Sequence, residues 1–279
     1  MKKIFAALFV LGGLFVINCS SQTTEPEKKQ ETPQLAGYEL VWADEFNYTG
    51  LPDPKKWGYD VGGHGWGNQE LQYYTNSRKE NARVENGKLI IEAKLEKFES
   101  SSFTSARLVT KNRGDWTYGR FEIRAKVPYG KGTWPAIWML PTIWNLGNGG
   151  WPDNGEIDIM EHVGYNPNVI HASIHSNKYN HTKGTQKTGT INIPDAVGAF
   201  HNYIIEWTKD SIKAFVNDKH YFTVVNEQRG WEFWPFFKDF HLILNIAVGG
   251  TWGGAQGIDA AVFPQKMEVD YVRVYKKLP

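Results

Sequence analysis

The sequence has a single cysteine, Cys19, and no excess of charge of either sign. One cysteine excludes an intramolecular disulfide framework and also excludes cysteine-rich zinc sites. The 31 Lys and Arg residues are matched by 30 Asp and Glu residues, which leaves a net charge of +1. Because the chain has neither a basic surplus nor a basic cluster, it lacks the electrostatic footprint of a nucleic-acid partner, and we expect none.

The apolar run at the amino terminus is too short to span a bilayer. It covers residues 4–17, after Lys2 and Lys3, whereas a spanning helix needs about 20 residues. A basic start followed by a short apolar stretch is typical of an export signal. The run leads to Cys19, the position at which a bacterial lipoprotein is cleaved and lipidated, although Asn18 replaces the usual Gly or Ala. Residues 1–19 therefore predict an exported lipoprotein of the cell envelope, at the outer membrane or cell surface. An ordinary signal peptide with an incidental cysteine is the alternative.

Two further parts follow this signal. Residues 20–36 are polar, contain proline and have no hydrophobic period, a composition that predicts a flexible tether. From Gly37 onward there is no second composition shift and no repeat, so residues 37–279 predict one domain. Nothing in this sequence requires more than one copy, and we expect a monomer whose only membrane contact is the lipid anchor.

Long segments with helical periodicity are also missing. In residues 120–127 charged and apolar side chains alternate strictly, which indicates a half-buried strand. Clusters of Gly, Asn and Pro, such as residues 145–150 and 249–257, separate further strand-like segments. Those segments are residues 88–95, 170–176, 203–207, 212–216, 241–248 and 267–275. Many short strands in one large domain predict an all-β antiparallel sandwich or barrel.

Three acidic residues stand close together at Glu156, Asp158 and Glu161. In a regular strand the first two share one face, and Glu161 lies on the other face among isoleucines. A buried, unpaired carboxylate is costly. One extra residue, a β-bulge near residues 159–160, would turn Glu161 onto the face of the other two acids, and bulges occur near active sites for this reason.

With that bulge, Glu156 and Glu161 would lie about 13 Å apart at Cα. Two long Glu side chains leaning together could bring their carboxyl groups to about 5 Å, the separation that retaining glycosidases need. Three acids on one face repel each other, so their pKa values must separate, as an acid and a nucleophile acting at one pH require. A solvent-facing acidic strand is the alternative, but the Trp-rich flanking segments favour a site.

Residues 155–161, GEIDIME, resemble the signature of glycoside hydrolase family 16 in its bulged E-x-D-x-x-E form. The plain E-x-D-x-E form belongs to the lichenase branch, from which this sequence departs. Residues 66–74, 132–140 and 242–252 resemble bacterial laminarinases, which are endo-1,3-β-glucanases, and the likeness covers most of residues 38–276.

This resemblance implies a β-jelly roll of two curved antiparallel sheets, with the substrate cleft in the concave one. It also implies a retaining enzyme that cleaves β-1,3-glucan (laminarin) and needs no catalytic cofactor. Glu156 matches the family's nucleophile and Glu161 its acid/base. Asp158 matches the residue that keeps these two properly ionised and oriented.

The abundance of aromatic residues, with 12 Trp among them, suits either a large β core or a surface that stacks on flat ligands. The resemblance implies the second role for several of them, together with polar residues that bind sugar hydroxyls. The implied substrate-binding residues are Asn68, Arg107, Trp134, Trp138, Trp151, His175 and Trp252. His171 and His175 also have the spacing of a metal pair, but nothing near them in the sequence supplies a third zinc ligand; we expect His171 to be structural.

Members of this family often hold one structural calcium ion on the convex face. The positions that match its ligands are Glu45, the carbonyl group of Gly87, and Asp270. Oxygen ligands of this kind suit calcium. Each of these residues could equally have an ordinary role in a turn or strand.

Other readings of the function stay open at this point. The same fold and mechanism could act on mixed-linkage β-1,3-1,4-glucan or on a galactan, and retention also permits transglycosylation to a sugar acceptor. A non-catalytic carbohydrate-binding jelly roll would use the same aromatic residues. It would have no need for three adjacent carboxylates, which favours the enzyme.

Overall fold

The described chain, which in this computed structural model is Met1 and residues 34–279, folds around two β-sheets. The predicted lipidation site Cys19, the rest of the predicted export signal after Met1, and residues 20–33 of the predicted tether lie outside the described residues. Gln34–Pro279 forms one compact unit. Within it, no helix has the length and apolar character needed to cross a membrane.

The first sheet has ten strands, numbered here in chain order over the whole domain. They are β1 (Tyr38–Asp44), β3 (Gln72–Tyr74), β4 (Ala82–Glu85), β5 (Lys88–Phe98), β6 (Ser101–Ser105), β9 (Gly119–Lys126), β14 (His201–Trp207), β15 (Ser211–Val216), β16 (Lys219–Val225) and β18 (Gln265–Lys277). Their order is β16-β15-β14-β9-β18-β5-β6-β3, with β1 paired to β18 and β4 to β5.

The second sheet has eight strands and carries the acidic segment. They are β2 (Gly58–Asp60), β7 (Arg107–Val109), β8 (Asp115–Trp116), β10 (Thr133–Pro141), β11 (Glu156–Glu161), β12 (Val169–His175), β13 (Lys187–Asn192) and β17 (Phe240–Val248). Their order is β13-β12-β11-β10-β17-β7-β2, with β8 paired to β17. Two short 3₁₀ helices, His181–Lys183 and Ala260–Val262, lie in the connections.

The core lies between the sheets and follows the period-two pattern. In β9 the apolar residues Phe121, Ile123 and Ala125 are fully buried, and the charged residues between them are partly exposed. Strand β17 differs, because all nine of its residues are buried. One set of its side chains joins the core, and two residues of the alternate set, Asn245 and Ala247, line the cleft described below.

The predicted all-β jelly roll is confirmed, and each strand-like segment of the sequence falls on an observed strand. The pairing departs from the prediction at one place. Strands β3 and β6 run parallel, whereas the other named strand pairs in the described residues are antiparallel. In this parallel pair Tyr74 is fully buried and lies beside the cleft described below.

Candidate active site

Strand β11 contains the predicted bulge. On one side, Ile137 of β10 pairs with Met160 while its neighbour Trp138 pairs with Asp158, so the register skips Ile159. On the other side, the register with β12 shifts between Asp158 and Glu161. The extra residue leaves Ile159 and Met160 fully buried, while the three acids lie on the opposite, cleft-facing side of the sheet.

Gly155 fixes where this strand begins. Its φ of 88° lies in the left-handed region that favours glycine. A Cβ atom at this position would lie 2.8 Å from Cγ of Pro235 and 3.1 Å from Cε1 of Phe236. The strand therefore enters between packed side chains at a place that only glycine fits, and the next residue is Glu156.

His175 stands opposite Glu156 in the β11–β12 register and faces two of the acids. Its Nε2 atom lies 3.4 Å from Oδ2 of Asp158 and 3.7 Å from Oε1 of Glu156. A cavity of about 380 Å³ opens over Glu156, Glu161 and His175. A smaller adjoining cavity includes Asp158 as well, so the three acids share one cleft. The carboxyl separation of about 5 Å expected between Glu156 and Glu161 stays a prediction.

Each of the two glutamates receives a hydrogen bond from its own tryptophan. Trp151 Nε1 donates to Oε2 of Glu156 at 3.1 Å, and Trp134 Nε1 donates to Oε1 of Glu161 at 3.1 Å. Neutral indole donors orient a carboxylate without supplying a full positive charge. The two carboxyl groups are therefore held separately, from opposite ends of β11.

Burial makes all three acids hard to ionise, and repulsion adds to this effect for the two glutamates. Burial raises the pKa of Glu156 to about 8; repulsion from Asp158 and Glu161 acts in the same direction, whereas His175 and the Trp151 hydrogen bond lower it. Burial, with repulsion from Asp158, raises the pKa of Glu161 to about 8. Burial also raises the pKa of Asp158 well above its usual value. Because each ionised carboxylate opposes the next ionisation, the protons leave in successive steps. A carboxylate and a carboxylic acid can therefore coexist in the site.

Arg107 organises one side of the cleft. Its guanidinium carbon lies 4.7 Å from the ring centroids of both Trp66 and Trp138, and its Nε atom lies 3.0 Å from Oδ2 of Asp60. Arginine stacks on aromatic faces in a way that lysine does not. The arginine thus joins two aromatic rings from distant segments into one wall, with Asn68 beside it.

Three residues that the sequence analysis did not assign link this wall together. Trp138 Nε1 donates to Oδ1 of Asn245 at 2.7 Å, and Asn245 Nδ2 donates to the hydroxyl oxygen of Tyr74 at 2.9 Å. Tyr74 in turn donates to Glu70 at 3.4 Å, and Asn68 also donates to this carboxylate, at 3.2 Å. All three lie inside the segments that resemble laminarinases, and that resemblance is the sequence feature that could have identified them as cleft residues.

The other side of the cleft is aromatic and contains two further histidines. Trp252 packs edge-on against Trp134 and against His171, with ring centroids 5.4 Å and 5.0 Å apart. His171 therefore lines the cleft wall instead of having a purely structural position. His181, which the sequence analysis did not consider, lies 4.9 Å from the Trp151 ring by centroids. The structure brings the predicted acids and substrate-binding residues around one cleft.

The predicted calcium ligands lie elsewhere, and the two carboxylates among them already have arginine partners. Arg273 donates to both carboxylate oxygens of Glu45, at 2.7 and 2.8 Å, and Asp270 pairs with Arg124 at 3.2 Å. Gly87 lies in the turn between β4 and β5. Calcium at this place would have to displace an arginine or use backbone oxygens. The site stays a prediction.

Comparison with known proteins agrees with this geometry. The family model of glycosyl hydrolases family 16 matches residues 69–273. The chain is 61% identical over 244 residues to a β-glucanase of Rhodothermus marinus, with 86% of this chain and 85% of that protein covered. A laminarinase structure from the same organism has a TM-score of 0.86 at 60% identity, covering 87% of this chain and 98% of that one. A non-specific endo-β-1,3(4)-glucanase structure has a TM-score of 0.82 at 49% identity, covering 88% and 94%. The chain belongs to glycoside hydrolase family 16.

Proposed function

We propose that this protein is a retaining endo-1,3-β-glucanase that hydrolyses laminarin-type β-glucan by double displacement. The observation that carries the proposal is the bulge in β11, which puts Glu156 and Glu161 on one cleft-facing side between tryptophans. Two carboxyl groups, one ionised and one protonated, are what retaining hydrolysis of a glycosidic bond requires. The similarity to a laminarinase at 60% identity supports β-1,3-glucan as the substrate.

In this mechanism Glu161 protonates the departing glycosidic oxygen while the Glu156 carboxylate attacks the anomeric carbon. A covalent glycosyl-enzyme forms, and Glu161, now ionised, removes a proton from the water that hydrolyses it. Asp158 lies between them, and its negative charge raises the pKa of both glutamates, which opposes their ionisation at the same time. The Trp138–Arg107–Trp66 wall and the Trp134–Trp252 pair offer stacking surfaces for sugar rings on either side of the acids.

The assignment is tested by azide rescue of two alanine variants on an activated laminari-oligosaccharide. In Glu156→Ala, azide should replace the nucleophile and give an α-glycosyl azide. In Glu161→Ala, azide should intercept the glycosyl-enzyme and give the β product. Proton NMR of the anomeric signal distinguishes the two products. The opposite pairing of variant and product would exchange the roles of the two glutamates, and reducing-end release by both variants at the wild-type rate would refute the mechanism.

Mixed-linkage β-1,3-1,4-glucan is a second candidate substrate, favoured by the similarity to an endo-β-1,3(4)-glucanase. Rates of reducing-end release from laminarin and lichenan, measured side by side with a Glu161→Gln control, decide between the two. A kcat/KM for laminarin well above that for lichenan is expected. Release only from agarose or carrageenan would keep the mechanism and move the substrate to a galactan.

We also infer from the sequence that the protein is exported and anchored through a lipid on Cys19, at the outer membrane or cell surface. The basic start, the short apolar run and the cysteine at its end support this. Mass spectrometry of the mature amino terminus tests it. A diacylglyceryl-modified Cys19 is expected, and an unmodified amino terminus beyond residue 19 would refute it.

A structural calcium ion at Glu45, Gly87 and Asp270, and a monomeric state, complete the proposal. Chelation should lower the melting temperature if calcium is bound, and metal analysis of the purified protein should find one equivalent. An unchanged melting temperature and no bound calcium would remove the site. Light scattering coupled to gel filtration tests the monomer.

A further inference from the structure

Three ligand-type side chains converge at the centre of the cleft. Glu156, Asp158 and His175 each present one nitrogen or oxygen atom, and these three atoms all lie within 4.8 Å of one another. The sequence spacing of His171 and His175 gave no zinc site, because no third ligand is near them along the chain. The strand register supplies what that spacing lacks, since it sets His175 opposite Glu156 on the neighbouring strand.

The spacing of these atoms suits a small tetrahedral ion. Zinc binds imidazole nitrogen at about 2.0–2.1 Å and carboxylate oxygen at about 2.0–2.2 Å. Tetrahedral geometry then places neighbouring ligand atoms about 3.3–3.6 Å apart. His175 Nε2 lies 3.4 Å from Asp158 Oδ2 and 3.7 Å from Glu156 Oε1. Two of the three distances between the ligand atoms are therefore already close to those of a tetrahedral zinc site.

A second observation also points to a ligand. No group in the described residues makes a hydrogen bond to Asp158 Oδ2, although this atom is buried. Asp158 is 2% exposed and His175 is 6% exposed. Oδ2 of Asp158 is the oxygen that faces His175. Burial of a carboxyl oxygen without a hydrogen-bond partner costs free energy. A divalent cation would compensate this oxygen and the neighbouring Glu156 at the same time.

We propose that Glu156, Asp158 and His175 form an inhibitory site for a divalent transition-metal ion, with Zn²⁺ as the best match. Two carboxylates and one imidazole are a donor set that zinc accepts. The fourth position faces the cleft, where water or His181 can fill it; the His181 and His175 rings are 5.3 Å apart by centroids. Zinc on Glu156 occupies the atom that would attack the sugar, so the ion excludes productive glycan binding.

Isothermal titration of the purified protein with zinc chloride tests the site directly. One saturable equivalent is expected for the wild type. Binding should weaken by about tenfold or more in both His175→Gln and Glu156→Gln, because loss of a ligand costs at least what loss of its supporting partner costs. The matched control is His220→Gln, which changes an exposed histidine of strand β16 and should bind zinc as the wild type does.

Melting temperatures measured without zinc establish that each variant is folded, and the use of two variants on different strands guards against failure of either one. Equal zinc affinity in His175→Gln, Glu156→Gln and wild type would overturn the proposal. So would loss of the saturable equivalent in His220→Gln alone, or a wild-type protein that gives no saturable heat.

A kinetic experiment, which rests on the proposed function, tests whether zinc competes with the glucan. Zinc should raise the KM for laminarin while leaving kcat unchanged, and a chelator should restore the original KM. A fall in kcat at constant KM would place the inhibiting ion outside the cleft and refute competition. Should the protein not hydrolyse laminarin at all, the proposed function fails while the calorimetric comparison still decides the zinc site.

Discussion

Replacing Trp151 by Phe should move the acidic limb of the pH–activity profile upward. The change removes the indole N–H that donates to Glu156 at 3.1 Å but keeps an aromatic ring in place. Hydrogen bonds to charged groups contribute about 1.5–3 kcal/mol. At 1.36 kcal/mol for each unit, their loss raises the pKa of Glu156 by roughly 1–2 units. Because Glu156 must be ionised to attack, activity at acidic pH should fall about 10–100-fold.

The matched control is Trp134→Phe, which removes the corresponding donor from Glu161. The pKa of Glu161 should rise as well, but Glu161 acts in its protonated form. The alkaline limb should therefore move to higher pH, and the acidic limb should stay in place. The two variants make the same chemical change and are predicted to affect opposite limbs.

The assay is kcat/KM for laminarin across the acidic to alkaline range, which reports the ionisations of the free enzyme. A profile that is unchanged in Trp151→Phe would refute the idea that this hydrogen bond tunes the nucleophile. Shifts on the reversed limbs would show that Glu156 is the acid and Glu161 the nucleophile.

Three further variants test other parts of the structure. Arg107→Lys keeps the charge but loses the planar stack between two tryptophans, so KM for laminarin should rise about tenfold, from roughly 1–2 kcal/mol; an unchanged KM would contradict the stacking role. Gly155→Ala should destabilise the fold by roughly 1–3 kcal/mol in chemical unfolding, whereas Gly184→Ala, at a φ of 65° with open space around it, should cost less. Glu161→Gln should stabilise the fold by on the order of 1–3 kcal/mol at alkaline pH, because burial raises the pKa of Glu161 from 4.5 to about 8. The wild type loses stability as the pH rises from 4.5 to about 8, because Glu161 then has to ionise in a buried place. Calorimetric melting should therefore show that the advantage of Glu161→Gln over the wild type disappears at pH values below 4.5.

The strands and the bulge could be predicted because their causes are local. A regular strand would have buried Glu161 among isoleucines, and the cost of burying that carboxylate was enough to require one extra residue. The register confirms the bulge at the predicted place. The likeness to a known family then supplied roles for the residues on either side.

Contacts between distant segments could not be predicted in this way. The Arg107 sandwich joins residues from three separate parts of the chain, and no periodicity within any one of them indicates it. The same holds for the partners of the predicted calcium ligands, Arg273 and Arg124, which the local sequence around Glu45 and Asp270 does not reveal. Sequence identified which residues have suitable chemistry, and only the sheet register decided which of them meet.

A cluster of three acids in one buried cleft suits a substrate that carries no charge. A neutral glucan carries no positive charge that could attract three buried carboxyl groups, so their electrostatic interaction with the bound substrate is weak before the reaction begins. Positive charge develops on the sugar ring only as the glycosidic bond breaks, in a transition state that resembles an oxocarbenium ion. The field of Glu156 and its neighbours therefore acts mainly on the transition state, which is the condition under which binding energy accelerates a reaction. A small divalent cation at His175 would draw on the same field without any chemistry, and for that reason a site built for this reaction should also be open to inhibition by zinc.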